Sequence, residues 1–478
     1  MARAPRFALL FGLLSLGTAP PAAPQGGEDP SPPTPAPEAE EADAVVARGR
    51  GLAVRASEVI PVLIDRYAAA PDGRGLLKLL VSSRLIELIA REQAVAVSAA
   101  EVTARWEEMD RQTRAEGVAG GLAAALAERG LGTDEFREYL RLILLQEELT
   151  RRALAVGRDV PITADQQEIW LAQEMEELGL SWPPPPWPDG IAARCGPIAI
   201  GAAELGAMLL DKLDPKDVRE TCWHLLLRKG IEKRLPDLAP AARGEAVDAE
   251  MERRRREAEA GAAAQAPGVR FEELLVARGS SLELLRRDPS VHVAALTRLW
   301  VDQVEGRDGV REEYVANRDR YEGLYGRAVH TYLIFLVAAQ FSNELNRRTF
   351  AAAEAELKEL AKEISTLREF TAASARRSEE ESVRENRGDL GWVTRDDPRF
   401  PAPIRAAVFE YIGTGGTIPP AGCTLGPVRL DTGVVLLWLS AVKESPPWEE
   451  MYEHVHEELR RRFIEDVMPV KAVEMVVR

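Results

Sequence analysis

A thirteen-residue segment occurs twice in this chain, and its recurrence limits the fold more than any other feature. Ala47 to Val59 (ARGRGLAVRASEV) lies without gaps on Ala193 to Leu205 (ARCGPIAIGAAEL), 146 residues later. Leu52 falls over Ile198, Val54 over Ile200, Glu58 over Glu204 and Val59 over Leu205. A similar offset brings Leu126 to Gly130 (LAERG) over Leu275 to Gly279 (LVARG), and places Val102 near Val247. Three matches in the same order indicate a duplicated module rather than chance.

Each copy opens on a short strand-like piece, Val45 to Val54 in the first, and continues in helices. Ser98-Ala99-Ala100-Glu101 and Thr163-Ala164-Asp165-Gln166 have the form of capping boxes. Leu76 to Ala94 and Phe136 to Leu154 keep apolar residues at i, i+3 and i+4, so each should bury one helical face. The second copy, about 190 to 322, is interrupted by Pro236, Pro240 and the tract Gly261 to Pro267. Trp182 to Pro188 (WPPPPWP) separates the copies and should be an extended polyproline II spacer.

With 478 residues and 46% hydrophobic content, the chain should hold two to four cored domains. A net charge of −16 argues against a general affinity for nucleic acid or anionic membrane. Cys195, Cys222 and Cys423 are too few and too scattered for a disulfide framework or a zinc knuckle, so they read as small buried residues. One intramolecular pair stays open in an oxidising compartment. His454 and His456 point to different sides of a helix and cannot hold a metal together. Arg253 to Arg256 alternate with glutamates and read as a solvated face. No phosphate loop, zinc-protease motif or nucleophile elbow is present, and neither metal nor cofactor is expected.

The amino terminus has the layout of a secretory leader: Arg3 and Arg6, the apolar run Phe7 to Leu16, then small residues and prolines at Ala19 to Ala23. That run is too short to span a bilayer, so export without stable membrane insertion is expected. Residues 26–43, rich in proline and acid, should be a disordered spacer.

The last third carries the chemistry. Gly388-Asp389-Leu390-Gly391-Trp392 has a glycine free to take φ > 0, an aspartate able to close the turn and an apolar strand entry. Upstream, His330 precedes the apolar run Tyr332 to Val337, a strand buried on both faces. A long helix over about 343–364, a short one over 370–377, another near 403–411 and closing strands at 426–430 and 433–442 complete the pattern. Trp448, Met451, Val455, Leu459 and Phe463 form a stripe on a terminal helix that must dock.

A histidine before a strand, a long helix, an acidic Ser378-Glu379-Glu380 turn and GDLGW together resemble the parvulin-type (PpiC) peptidyl-prolyl isomerases. The order of modules, with Val97-Ser98-Ala99-Ala100-Glu101-Val102 opening a helix, resembles the SurA-type periplasmic chaperones. The resemblance implies a mainly α protein with an α+β domain: two helical chaperone modules (44–178 and 191–323, joined by 179–190), a parvulin-like antiparallel sheet covered by helices (324–444), and a carboxyl-terminal helix (445–478) that returns to the amino-terminal domain. It implies catalytic roles for His330, Glu380 and Thr432, and a proline pocket of Leu390, Phe400, Ile404 and Phe409. Unfolded or proline-containing polypeptides would be the partners. The family's second histidine is Val435 here, which no longer steadies the first imidazole. His330 therefore reads equally as a structural histidine ending a strand. The rival to an exported isomerase is a non-enzymatic holdase or assembly scaffold whose parvulin domain only binds.

Overall fold

The computed structural model describes residues 43–128, 131–263, 268–341 and 348–476. The leader, all of the spacer except Asp43, and the first residues of the long helix expected from 343 lie outside them. The chain divides into two compact units: residues up to Leu296 together with those from Glu465 onward, and Thr297–Ile464. The second unit is thus an insertion in the first, reaching beyond the 324–444 expected for it.

The first unit is built on the repeat. Strands β1 (Val45–Gly49) and β2 (Leu52–Arg55) form a hairpin with Gly49 opposite Leu52 and Arg48 opposite Ala53. Its two-residue turn, Arg50-Gly51, has positive φ at both positions, which suits the twist of a tight hairpin. Helices α1 (Ala56–Tyr67), α2 (Pro71–Glu92), α3 (Ala99–Ala115), α4 (Gly121–Glu128), α5 (Thr133–Ala153) and α6 (Ala164–Glu177) follow. Both capping boxes form: Ser98 and Thr163 accept from the N3 amides, and Glu101 and Gln166 reach back.

The second copy repeats this. Strands β3 (Ile191–Cys195) and β4 (Ile198–Gly201) place Arg194 opposite Ala199 and Cys195 opposite Ile198, the same register with a bulge at the same place. Helices α7 (Ala202–Lys212), α8 (Pro215–Arg234), α9 (Pro240–Ala263), α10 (Phe271–Ala277), α11 (Leu282–Arg287) and α12 (Pro289–Trp300) continue it. Pro236 and Pro240 fall between α8 and α9, or open α9, so they bound helices rather than break them.

The copies exchange parts. The β1–β2 hairpin packs on α8, β3–β4 packs on α2, and the equivalent helices α1 and α7 pack on each other. Arg84 on α2 donates to Ala199 O (2.8 Å) and Glu204 Oε1 (2.7 Å) of the second copy. Lys229 on α8 donates to Ala53 O (2.7 Å) and Glu58 Oε2 (2.7 Å) of the first. Those acceptors are the same two repeat positions. Where α1 meets α7, a side chain at Gly206 would come within 2.2 Å of Ile60, its own repeat counterpart, so one large and one small residue share the space. Arg66 forks onto Asp288 (2.6 and 2.8 Å). Burial raises the Asp288 carboxyl, but that guanidinium and Ser290 outweigh it and hold it down at about 2.

One expectation needs correction. Trp182 to Pro188 is not uninterrupted polyproline II: the Pro185–Pro186 peptide is cis, and Trp187 Nε1 turns back onto Pro183 O at 2.9 Å. The indole takes a carbonyl that an extended run leaves to water. The carboxyl-terminal segment returns to the first module, as the resemblance implied: β9 (Glu474–Met475) pairs with β1 in the sheet order β2-β1-β9. All three cysteines are free.

The second unit holds a π-helical turn (Val301–Glu305), α13 (Gly306–Ala316) and α14 (Arg318–Tyr325). These are followed by a four-stranded antiparallel sheet ordered β6-β5-β8-β7: β5 (Ala328–Val337), β6 (Asp389–Thr394), β7 (Cys423–Arg429) and β8 (Gly433–Lys443). Helices α15 (Phe350–Glu363), α16 (Leu367–Arg377), α17 (Glu381–Glu385) and α18 (Ala402–Gly413) cover it, and α19 (Trp448–Val467) follows. The expected stripe on α19 docks: Met451, Val455 and Leu459 bury against Val301, Val310 and Tyr321, and Phe463 stacks on Trp300 at 3.9 Å. The fold is mainly α with one α+β unit, as expected. Among the described residues no helix is long and apolar enough to cross a membrane.

Candidate functional site

Strand β5 is buried on both faces, and its alternation sorts the sheet into two layers. Tyr332, Ile334 and Leu336, with Val434, Leu436 and Trp438 of β8, lie with α15 and α16. Val329, Leu333 and Phe335, with Val435, Leu437 and Leu439, lie with α18 through Ile404 and Val408 and with α17 through Val383. Half-buried Leu390, Phe409, Tyr411 and Ile412 pack at the margin of this second layer. The result is an apolar floor with an apolar rim.

The acidic turn is fastened to β5 as a substitute strand. Ser374 Oγ donates to Leu333 O (2.8 Å), and Ser378 Oγ accepts from Phe335 N (3.2 Å). Glu379 N donates to Phe335 O (2.9 Å), and Glu379 Oε2 accepts from Val337 N (2.7 Å). Both serines are buried. Sequence reading passed over them, although their i, i+4 spacing on the helix carrying Phe370 was the available signal. The GDLGW turn forms as expected. Gly388 has φ +82°, and a side chain there would meet Leu333 O at 2.2 Å. Asp389 Oδ1 accepts from Gly391 N at 2.7 Å.

The expected site residues do not all converge. Leu390 and Phe409 belong to the apolar layer, and so does Ile404, but at 1% exposure Ile404 is core and offers no contact surface. Phe400 lies outside the cluster, with the Arg399 guanidinium 5.4 Å above its ring. Glu380 is exposed at the start of α17, its Oε1 accepting from Ser382 Oγ (3.0 Å). Thr432 is exposed in the β7–β8 turn, and its carbonyl accepts from Ala338 N (3.2 Å).

His330 is the main correction. Across the sheet it faces Trp392 and Ala441, whereas Val435 faces Phe335. Ala441 and Val435 are six residues apart on β8, roughly 20 Å along an extended strand. Its ring packs 5.0 Å from that of Tyr332, which belongs to the other layer, and 5.1 Å from that of Trp392. Nδ1 meets Ser440 Oγ at 3.0 Å and Nε2 meets Asp389 Oδ1 at 3.3 Å. Burial, with Asp389 adding, raises the neighbouring Tyr332 hydroxyl. The missed signal is alternation along β5, which puts His330 on the side of Tyr332, Ile334 and Leu336; the bulges beside it lie in the partner strands, at Leu390 of β6 and Ser440 of β8. The apolar face therefore carries no imidazole at Phe335 or Val435. Among the described residues no group of three or more His, Cys, Asp or Glu is placed to hold a metal.

Comparison with known proteins agrees on this region. Residues 336–439 match the family described as rotamase, PPIC-type PPIase domain, a span that starts after His330. No curated protein matches the chain. Solved structures matched over part of the chain include the peptidylprolyl isomerase PrsA of Bacillus anthracis (16% identity, 52% of this chain and 91% of that one, TM-score 0.25). Foldase protein PrsA of Streptococcus pneumoniae is another (15%, 57% and 90%, TM-score 0.23). A third comes from the SurA-like pair PEB4 and Cj1289 of Campylobacter jejuni (17%, 39% and 67%, TM-score 0.22). The match over 336–439 accords with the resemblance of the last third to the parvulin-type isomerases.

Proposed function

We propose that this chain is an exported folding factor whose parvulin-type unit holds proline-containing segments of unfolded polypeptides by contact with its apolar face. Supporting export is the leader-like layout of Arg3, Arg6 and Phe7 to Leu16. The observation that carries the binding role is the half-buried apolar rim of Leu390, Phe409, Tyr411 and Ile412, packed over the core pair Phe335 and Val435. Prolyl isomerisation crosses a barrier of about 18–20 kcal/mol, and a catalyst must favour the twisted imide over both planar forms. Polar groups aimed at the imide do that. An apolar rim binds the planar forms and the twisted form about equally, which gives affinity without rate. Leu390 and Phe409 supply the contact.

A second reading, retained isomerase activity, is favoured by the match of residues 336–439 to a PPIase family. A protease-coupled assay on a proline tetrapeptide, run beside a binding titration of the same peptide, separates the two. The holding role predicts saturable binding that weakens about tenfold in Phe409→Ala, with the isomerisation rate at background. A rate well above background that falls in Glu380→Gln would establish the second reading.

A further inference from the structure

The two copies of the module close their outer strands differently. In the second copy, Ser181 N donates to Arg194 O and Arg194 N to Ser181 O, both at 2.8 Å. The chain cannot extend that pairing, because Pro183, two residues on, has no N–H to offer. In the first copy the same edge, on β1, is taken by the end of the chain. Met475 faces Ala47, Glu474 faces Arg48, and Val476 N donates to Val46 O (2.8 Å). Three residues make this pairing. Glu474 is exposed, Met475 half-buried, and Val476 half exposed to solvent.

Beside the pairing lies a hollow of about 350 Å³, lined by Arg48, Arg50, Leu52, Ala53, Ala472 and Glu474 among others. Arg48 has no hydrogen bond or ion pair with any described residue. Its counterpart Arg194 is held by Asp189 at 2.9 Å, whereas Asp43, the residue equivalent to Asp189, is taken by Arg55 and Ser57.

We propose that the outer edge of β1 is a docking site for an extended, alternately apolar polypeptide segment with an acidic residue opposite Arg48, occupied at rest by residues 474–476. Added strands gain affinity from main-chain hydrogen bonds and specificity from alternate side chains. The occupant is what an unfolded polypeptide offers, so the inference rests on the folding-factor reading and places a second contact in the first unit.

The test uses a fluorescent peptide of residues 470–478 and fluorescence anisotropy. Two variants free the edge: a chain ending at Val473, and full-length Val476→Pro, which lacks the N–H that reaches Val46 O. Both should bind the peptide at least tenfold more tightly than the intact chain. A Glu474→Lys peptide should bind about tenfold more weakly, and Arg48→Ala should erase that difference. A reduced, carboxymethylated protein should displace the peptide. Folded variants that bind no better than the intact chain would overturn the site, and so would an unfolded protein that fails to compete. Loss of the folded circular-dichroism signal in both variants also counts against it, since the segment would then be core. Proline-peptide binding by the second unit, measured in the same samples, stays unchanged if only this inference is wrong and fails if the folding-factor reading itself is wrong.

Discussion

Strand β5 has two ends that differ in kind. At the Ala328 end a polar corner gathers His330, Asp389 and Ser440 beside Trp392, on the layer of the sheet that includes Tyr332. Towards the Val337 end, Phe335 and Val435 form an apolar floor, and Ser374, Ser378 and Glu379 tie the acidic turn to the strand edge. A histidine ahead of an apolar run is therefore not evidence of a histidine on the apolar layer. Two bulges separate the two ends, and the chemistry on offer changes from proton handling to apolar contact.

The largest expected effect comes from putting an imidazole on the floor. Val435 is fully buried, so Val435→His should cost roughly 3 kcal/mol in urea unfolding, because no polar partner stands there to meet the ring. A small cost together with isomerase activity would break the comparison. Ser374→Ala and Ser378→Ala come next, at about 1–2 kcal/mol each, since Leu333 O and Phe335 N lose buried partners. The two losses should not add, because the hydroxyls also bond each other at 3.2 Å. His330→Ala should cost under about 1 kcal/mol, as its partners reach solvent, and should leave proline-peptide affinity unchanged.

The smallest effect concerns pH, and it sharpens the comparison by locating histidine chemistry elsewhere in the unit. Burial holds His456 below the usual histidine range against the pull of Asp302 Oδ1, 3.1 Å from Nε2. Arg298 and Arg460 also press it down, while Tyr452 packs on its ring. The unfolded chain takes up this proton near pH 6.5 and the folded chain only at lower pH. Stability should therefore decline as pH falls below about 6.5 and stop declining beneath the folded value. Unfolding midpoints at pH 7.5, 6.5 and 5.5 should show a shallower slope in His456→Gln.

Legibility in the sequence followed the kind of interaction. The repeat was visible because its positions have tertiary partners that constrain them, and those of Leu52 and Glu58, Gly230 and Lys229, lie in the other copy. The exchange itself was not visible, since nothing local distinguishes Glu58 pairing with Lys229 from Glu58 pairing within its own module. The turn at Gly388 was readable because a positive φ selects for glycine. Leu390 and Phe409, taken from the resemblance, lie in one apolar layer. His330 does not join them because alternation along β5 turns it to the side of Tyr332, and Phe400 does not because it precedes α18 and packs under the Arg399 guanidinium.

The most direct test is a titration of the ¹³C- and ¹⁵N-labelled chain with a proline peptide, followed by NMR. Binding on the apolar rim predicts that signals of Leu390, Phe409 and Tyr411 shift together and saturate, while the His330 ring signals stay in place. Movement of the His330 ring with the peptide, and no change at Leu390 and Phe409, would contradict the account.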